Sequence, residues 1–144
     1  MNEMVKPVVI AITGTQALAG QEPERLQLVT EGSYCYEPGF IRFSYVESEM
    51  TGMEGVVTSF TIEDEKKITL LRTGKVNAEL VFVLGQRHES LYDAGVTALL
   101  VGVEAKSMTV LLNEHGGIFD FSYEIDVEHS GCGVNSYHVE IREA

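Results

Sequence analysis

Tryptophan is missing altogether, and the 144 residues include only three prolines and two cysteines. Cys35 and Cys132 show no CxxC spacing, so they neither staple a small secreted domain nor form a zinc site. They read as reduced strand or loop residues, and no feature of the sequence supports a bridge between them. Basic residues are also scarce: 10 Lys and Arg stand against 22 Asp and Glu, a net charge of −12. Nucleic acid and anionic membrane surfaces demand clustered positive charge, so both are excluded as partners. Acidity of this kind favours solubility and says little about fold. No apolar run approaches the ~18 residues that cross a bilayer as a helix. The opening MNEMVKPVVIAITGTQ lacks the basic start of a secretory leader, and a cytoplasmic location is expected. Phosphate-binding and dinucleotide loops are absent, as is a GxSxG elbow. His88, His115, His129 and His138 show no metal-ligand spacing, and His129 beside Cys132 in a glycine-rich turn is a poor nucleophile pair. No metal or cofactor is expected, and no catalytic residue is assigned.

What is present is alternation. Apolar residues make up 44% of the chain and mean hydropathy is near zero, as in one globular domain spanning residues 1–144. The segment Phe40–Leu84 organises the rest. It reads as four short strands, Phe40–Glu49, Val56–Glu63, Ile68–Thr73 and Ala78–Leu84, each passed to the next by a tight polar turn. Loops this short force antiparallel pairing. Strands are also expected at Val5–Thr13, Leu26–Tyr36, Val96–Ala105, Ser107–Glu114, Gly117–Val127 and Ser136–Glu143. Between them lie an irregular connection at Gly85–Gly95, a non-strand stretch at Thr15–Arg25 and a turn at Glu128–Asn135. Gly32, inside the second strand, suggests a bulge or a bend at a barrel corner. His88 in its connection reads as solvated. The fold class is all-β: a closed antiparallel up-and-down barrel of eight to ten strands, because closure removes exposed edges.

One face of the meander carries polarity in an apolar setting. With Phe43, Tyr45, Phe60, Ile62, Ile68, Leu70, Leu80 and Phe82 pointing inward, strict period two also sends Glu47, Thr58, Arg72 and Leu84 inward. A buried acid and a buried guanidinium each need a partner or water. Three readings follow: a structural Glu47–Arg72 pair or two rim residues, a polar clasp for a ligand head group, or a catalytic pair.

Four segments carry a family likeness: VTEGSY (Val29–Tyr34), SYVESEMTGMEG (Ser44–Gly55), ITLLRTGKVNAELVF (Ile68–Phe82) and HESLYDAG (His88–Gly95). Together they resemble the YwiB-like family of small bacterial proteins of unknown function. The most specific pieces fall on Tyr45, Glu47, Thr51 and Gly52, and on Leu71, Arg72 and Gly74. The resemblance implies a calycin-type, lipocalin-like closed barrel and supplies no substrate. The Gly–x–Trp signature of true lipocalins is missing, and no Arg–x–Tyr lies on the last strand. Ligand transport by analogy is therefore a fold-level expectation alone.

The functional expectation is a module that binds a small, mostly apolar ligand inside the barrel, with Tyr45, Glu47, Thr58, Arg72 and Tyr92 as ligand-binding residues. It requires a cavity of roughly 300 Å³ or more. A solid interior filled by Phe43, Phe60, Leu70, Phe82 and Phe121 argues against it. The alternative is a ligand-free structural or protein-interaction barrel without catalytic activity, forming a homodimer. There the near-continuous apolar run VTALLVGV is buried on both sides and a second copy covers the outer one. An enzyme acting through Glu47 and Arg72 with Tyr45 or Tyr92 ranks last.

Overall fold

Period-two alternation extends through nearly the whole chain, and the strands follow it. A computed structural model describes residues 5–18, 22–93 and 95–144, without the side chains of residues 18, 131 and 132. Among the described residues there are ten strands: β1 (Val5–Leu18), β2 (Glu24–Glu37), β3 (Phe40–Val46), β4 (Val57–Glu63), β5 (Lys67–Thr73), β6 (Asn77–Val83), β7 (Arg87–Asp93), β8 (Ala98–Asn113), β9 (Gly116–Val127) and β10 (Ser130–Glu143). Each pairs antiparallel with its sequence neighbours, and β1 pairs with β10 to close the barrel. The architecture is the closed up-and-down barrel expected of the sequence, and it fits the calycin-like form.

The boundaries differ from the sequence reading in instructive places. Gly85–Gly95 is not an irregular connection; its centre is β7, paired with β8 from Arg87↔Glu104 to Asp93↔Ala98. The strand is hard to see because its inward side carries His88, Ser90 and Tyr92 and its outward side includes Leu91, 64% exposed. His88 is accordingly not a solvated loop residue. It is half-buried, and its Nε2 is buried without a hydrogen-bond partner among the described residues. Val96–Ala105 and Ser107–Glu114 are not two separate strands. They are one strand, β8, whose register with β9 slips between Ala105 and Ser107. A bulge absorbs the extra residue there, and Ala-Lys-Ser holds neither the glycine nor the asparagine that a tight hairpin favours. β1 continues past Thr13 to Leu18, so Thr15–Leu18 is strand, and residues 19–21 of the expected non-strand stretch lie outside the description. β10 begins at Ser130, leaving only Glu128 and His129, both at positive φ (54° and 61°), as the turn. Leu84 does not point inward; it lies beyond the end of β6 and is 46% exposed. Cys35 is buried, and a bridge to Cys132 falls outside the described side chains.

Two glycines are demanded by close approach. A Cβ on Gly32 would lie 2.3 Å from the Ser44 carbonyl oxygen and 2.6 Å from Ile10 Cδ1. Gly32 is paired with Val8 and is also where β2 takes up β3, opposite Tyr45, with no slip of register at either junction. The sequence expectation of a bulge is thus replaced by tight contact between three strands. On the outer face, a Cβ on Gly102 would lie 2.1 Å from the Arg87 guanidinium. Arg87 lies across that glycine and reaches Asp126 at 2.8 Å. The outer side of VTALLVGV is therefore covered at Gly102 by the chain's own arginine.

One end of the barrel is solid. Phe43, Phe60, Phe82, Phe119 and Phe121 are fully buried there. Phe43 stacks on Phe60 at 4.9 Å, Phe119 on Phe121 at 5.2 Å, and Phe82 meets Phe121 edge-on at 5.2 Å. Such pairs add about 0.5–1.5 kcal/mol each beyond their burial. The seam between β6 and β7 is the thin one among the described residues: register pairs join Asn77 with Asp93 and Ala78 with Tyr92, and an isolated bridge joins Val83 with Gln86 at the turn. Elsewhere at least six consecutive residues pair across each junction of the meander, as from Lys67↔Val83 to Arg72↔Ala78.

Candidate functional site

Sheet register brings the expected residues together. Tyr45 pairs with Thr58, Thr58 with Arg72, Arg72 with Ala78 and Ala78 with Tyr92, forming one row across five strands. All five side chains share the inward phase, since cross-strand partners project to the same face. Ala78 matters by being small: it leaves room for Arg72 Nη1 to donate to the Tyr92 hydroxyl at 3.3 Å. Glu47 lies two residues beyond Tyr45, just past the end of β3. Its N–H donates to the Val56 carbonyl at 2.8 Å, and its carbonyl accepts from Gly55 N–H at 3.0 Å. Between these anchors the chain makes a single 3₁₀ turn, Glu49–Thr51, ended by Gly52 at φ +77°.

The Glu47 carboxylate is 2% exposed and held by hydroxyls: Thr58 Oγ1 donates at 2.6 Å to one oxygen, and Thr51 Oγ1, whose proton is shared with the Ser48 carbonyl at 3.1 Å, lies 3.2 Å from the other. Arg72 is 13% exposed, and its Nε stands 4.0 Å from Glu47. That distance balances charge without making a hydrogen bond. Arg72 Nε is buried and has no hydrogen-bond partner among the described residues. Burial opposes the Arg72 charge, but Tyr137, Tyr92, Glu47 and Tyr45 more than offset it and raise its pKa. Burial first, then the Glu47 charge, pushes the Tyr45 phenol far above its ordinary range; burial and Tyr137 do the same to Tyr123. Both phenols stay protonated.

These groups line a cavity of about 670 Å³ in the half of the barrel away from the phenylalanine plug. Its walls include Ile12, Leu28, Leu70, Leu80, Leu99, Val101, Ile125 and Val127. Phe82 touches Tyr123 at 4.6 Å and Phe121 touches Tyr137 at 5.4 Å, so the plug forms the floor. The interior is thus solid at one end and hollow at the other. Tyr45, Glu47, Arg72 and Tyr92 line the hollow, while Thr58 supports Glu47 from the wall. Sequence reasoning missed Thr51, Met53, Asn135 and the part played by Tyr123 and Tyr137. Met53 Sδ accepts from Tyr92, at 3.7 Å, and Asn135 Nδ2 donates to the Tyr123 hydroxyl at 3.2 Å. The inward phase of β9 and β10 marks both tyrosines, but reads as plain core. Asn135 was concealed in an expected turn.

Fold and site define a closed ten-stranded barrel with a half-hollow, apolar interior and a buried arginine–carboxylate–tyrosine cluster. Residues 10–141 match the family model described as "Domain of unknown function (DUF1934)", and the chain belongs to that family. The solved structure titled as the ywiB protein from Bacillus subtilis is similar, with a TM-score of 0.75 at 18% identity over 94% of this chain and 92% of that one. At that identity the likeness speaks to the fold alone. The YwiB-like resemblance carried by the four sequence segments stands. Comparison with curated proteins gives no match.

Proposed function

We propose that this barrel binds a small, mostly apolar molecule in its hollow half. The observation that carries the reading is the cavity of about 670 Å³, walled by aliphatic side chains and holding a few convergent polar groups. Sites for small molecules have this composition and this size, roughly 300–1,000 Å³. Tyr45, Glu47, Arg72 and Tyr92 supply the polar end, and Thr58 fixes Glu47. At about 30 Å³ per non-hydrogen atom, the space a water takes up in the liquid, the cavity holds on the order of 20 such atoms. Native mass spectrometry of protein purified from its own cells tests the reading. A carried-over mass lost in Leu70→Phe or Leu80→Phe, which fill the hollow, supports it; only the bare chain, together with no uptake of any hydrophobic probe, removes it.

A second reading, a homodimer, rests on the outer face beside β7 and β8. Leu91, opposite Leu100 across that junction, is 64% exposed, and Val96 is fully exposed nearby. Sedimentation showing only monomer at high concentration removes it.

A further inference from the structure

Granting the cavity reading just proposed, the hydrogen-bonding balance around Arg72 narrows the chemistry of what enters. A guanidinium carries five N–H donors and no acceptor. Nη1 serves Tyr92, Nε has no partner among the described residues, and Glu47 lies at 4.0 Å with both its oxygens engaged by threonines. Glu47 therefore lowers the cost of burying the arginine's charge without taking up the donors that Tyr92 leaves over. The phenols of Tyr45 and Tyr137 line the same hollow near the guanidinium, the first hydrogen-bonded to Glu47 and the second to Tyr123. The guanidinium thus holds more donors than its described neighbours accept from.

We infer that the ligand is an amphiphile with a single carboxylate, which accepts from Arg72 while its hydrocarbon body lies along the aliphatic wall. Two coplanar oxygens match the guanidinium fork. A neutral alcohol offers one weak acceptor and leaves donors buried and unmet, which is penalised. A phosphate monoester brings a second negative charge close to Glu47, and like charges at this range repel strongly in a partly dry site. Glu47 is then a selectivity element, tolerating one negative charge beside Arg72 and opposing two.

The test is isothermal titration calorimetry of the full, delipidated chain with dodecanoate, dodecanol, methyl dodecanoate and dodecyl phosphate. Dodecanoate is expected to bind on the order of tenfold or more tighter than the alcohol and the ester, since a charge-assisted bidentate bond replaces a neutral one. Arg72→Gln should erase that advantage while dodecanol binding persists. Glu47→Gln should favour dodecyl phosphate relative to dodecanoate. The wild-type ligand series decides the matter even if a variant misfolds. Equal affinity for acid, ester and alcohol overturns the carboxylate inference and leaves the cavity reading intact, as does an acid advantage that survives in a folded Arg72→Gln. Binding of none of the four probes overturns both.

Discussion

Glu47 shows how one residue can sit in a barrel interior without a tight ionic partner. Its oxygens are held by Thr58 and Thr51, while Arg72 supplies compensating charge from 4.0 Å. Thr58 itself is fully buried. Thr58→Val keeps the shape and removes the donor at 2.6 Å, so it is expected to cost about 1–3 kcal/mol in urea unfolding, with Thr58→Ser recovering most of the loss. A different ionisable pair lies on the outer face. The Asp120 carboxylate hydrogen-bonds His138 Nδ1 at 2.5 Å, and it is the main cause, with Glu140 adding to it, of an imidazole pKa above the ordinary value. A raised folded-state pKa favours folding fully below the unfolded value, and the benefit fades as pH rises through the folded one. His138→Gln should therefore lower Tm more at about pH 5, below the unfolded imidazole pKa, than at about pH 9. An equal deficit at both pH values refutes the assignment.

Among the elements, the meander β3–β6 was the most legible in the sequence, and physical reasons account for the misses elsewhere. Ile41, Phe43, Tyr45 and Glu47 alternate against polar partners, and charged or glycine-bearing turns mark each strand end. The same alternation placed Tyr45, Glu47, Thr58 and Arg72 on one face. β7 escaped because its inward side is polar and its outward side carries an exposed leucine, so hydrophobic phase gives the wrong sign. β8 was divided because Lys106 breaks the alternation, and a bulge in one strand produces the same break as a turn between two. The cavity was illegible for another reason: the hollow half and the plug are lined by the same residue classes, and only the packing of five phenylalanines at one end separates them. The two close-approach glycines differ in what a side chain would meet. Gly32→Ala meets the Ser44 carbonyl and should cost about 1–3 kcal/mol. Gly102→Ala meets the flexible end of Arg87 and disturbs only exposed, solvent-screened ion pairs, so it should cost less. Chemical denaturation of the two variants should rank them in that order.

For the whole molecule, a charge of −12 on 144 residues sets a general self-repulsion. Raising sodium chloride from about 10 mM to about 500 mM shortens the Debye length from about 30 Å to well under 10 Å. Tm should rise across that range, and a fall would show that the surface ion pairs outweigh the repulsion. The thin junction of β6 and β7 bears on time rather than energy. A cylinder tied along one line by two rungs and a bridge at the turn, and by six or more rungs along its neighbours in the meander, is expected to part sideways along that line most readily. Ala78 and Tyr92, which make one of those rungs, flank the guanidinium, so parting there exposes the cluster laterally. On the binding reading proposed above, an opening slit would give a guest a lateral route in addition to the mouth of the hollow. Hydrogen exchange should find a fast amide subset at Glu79–Val83 and Arg87–Leu91 and slow amides along β9 and β10. A bound guest touching Arg72 and Tyr92 should slow the fast subset first.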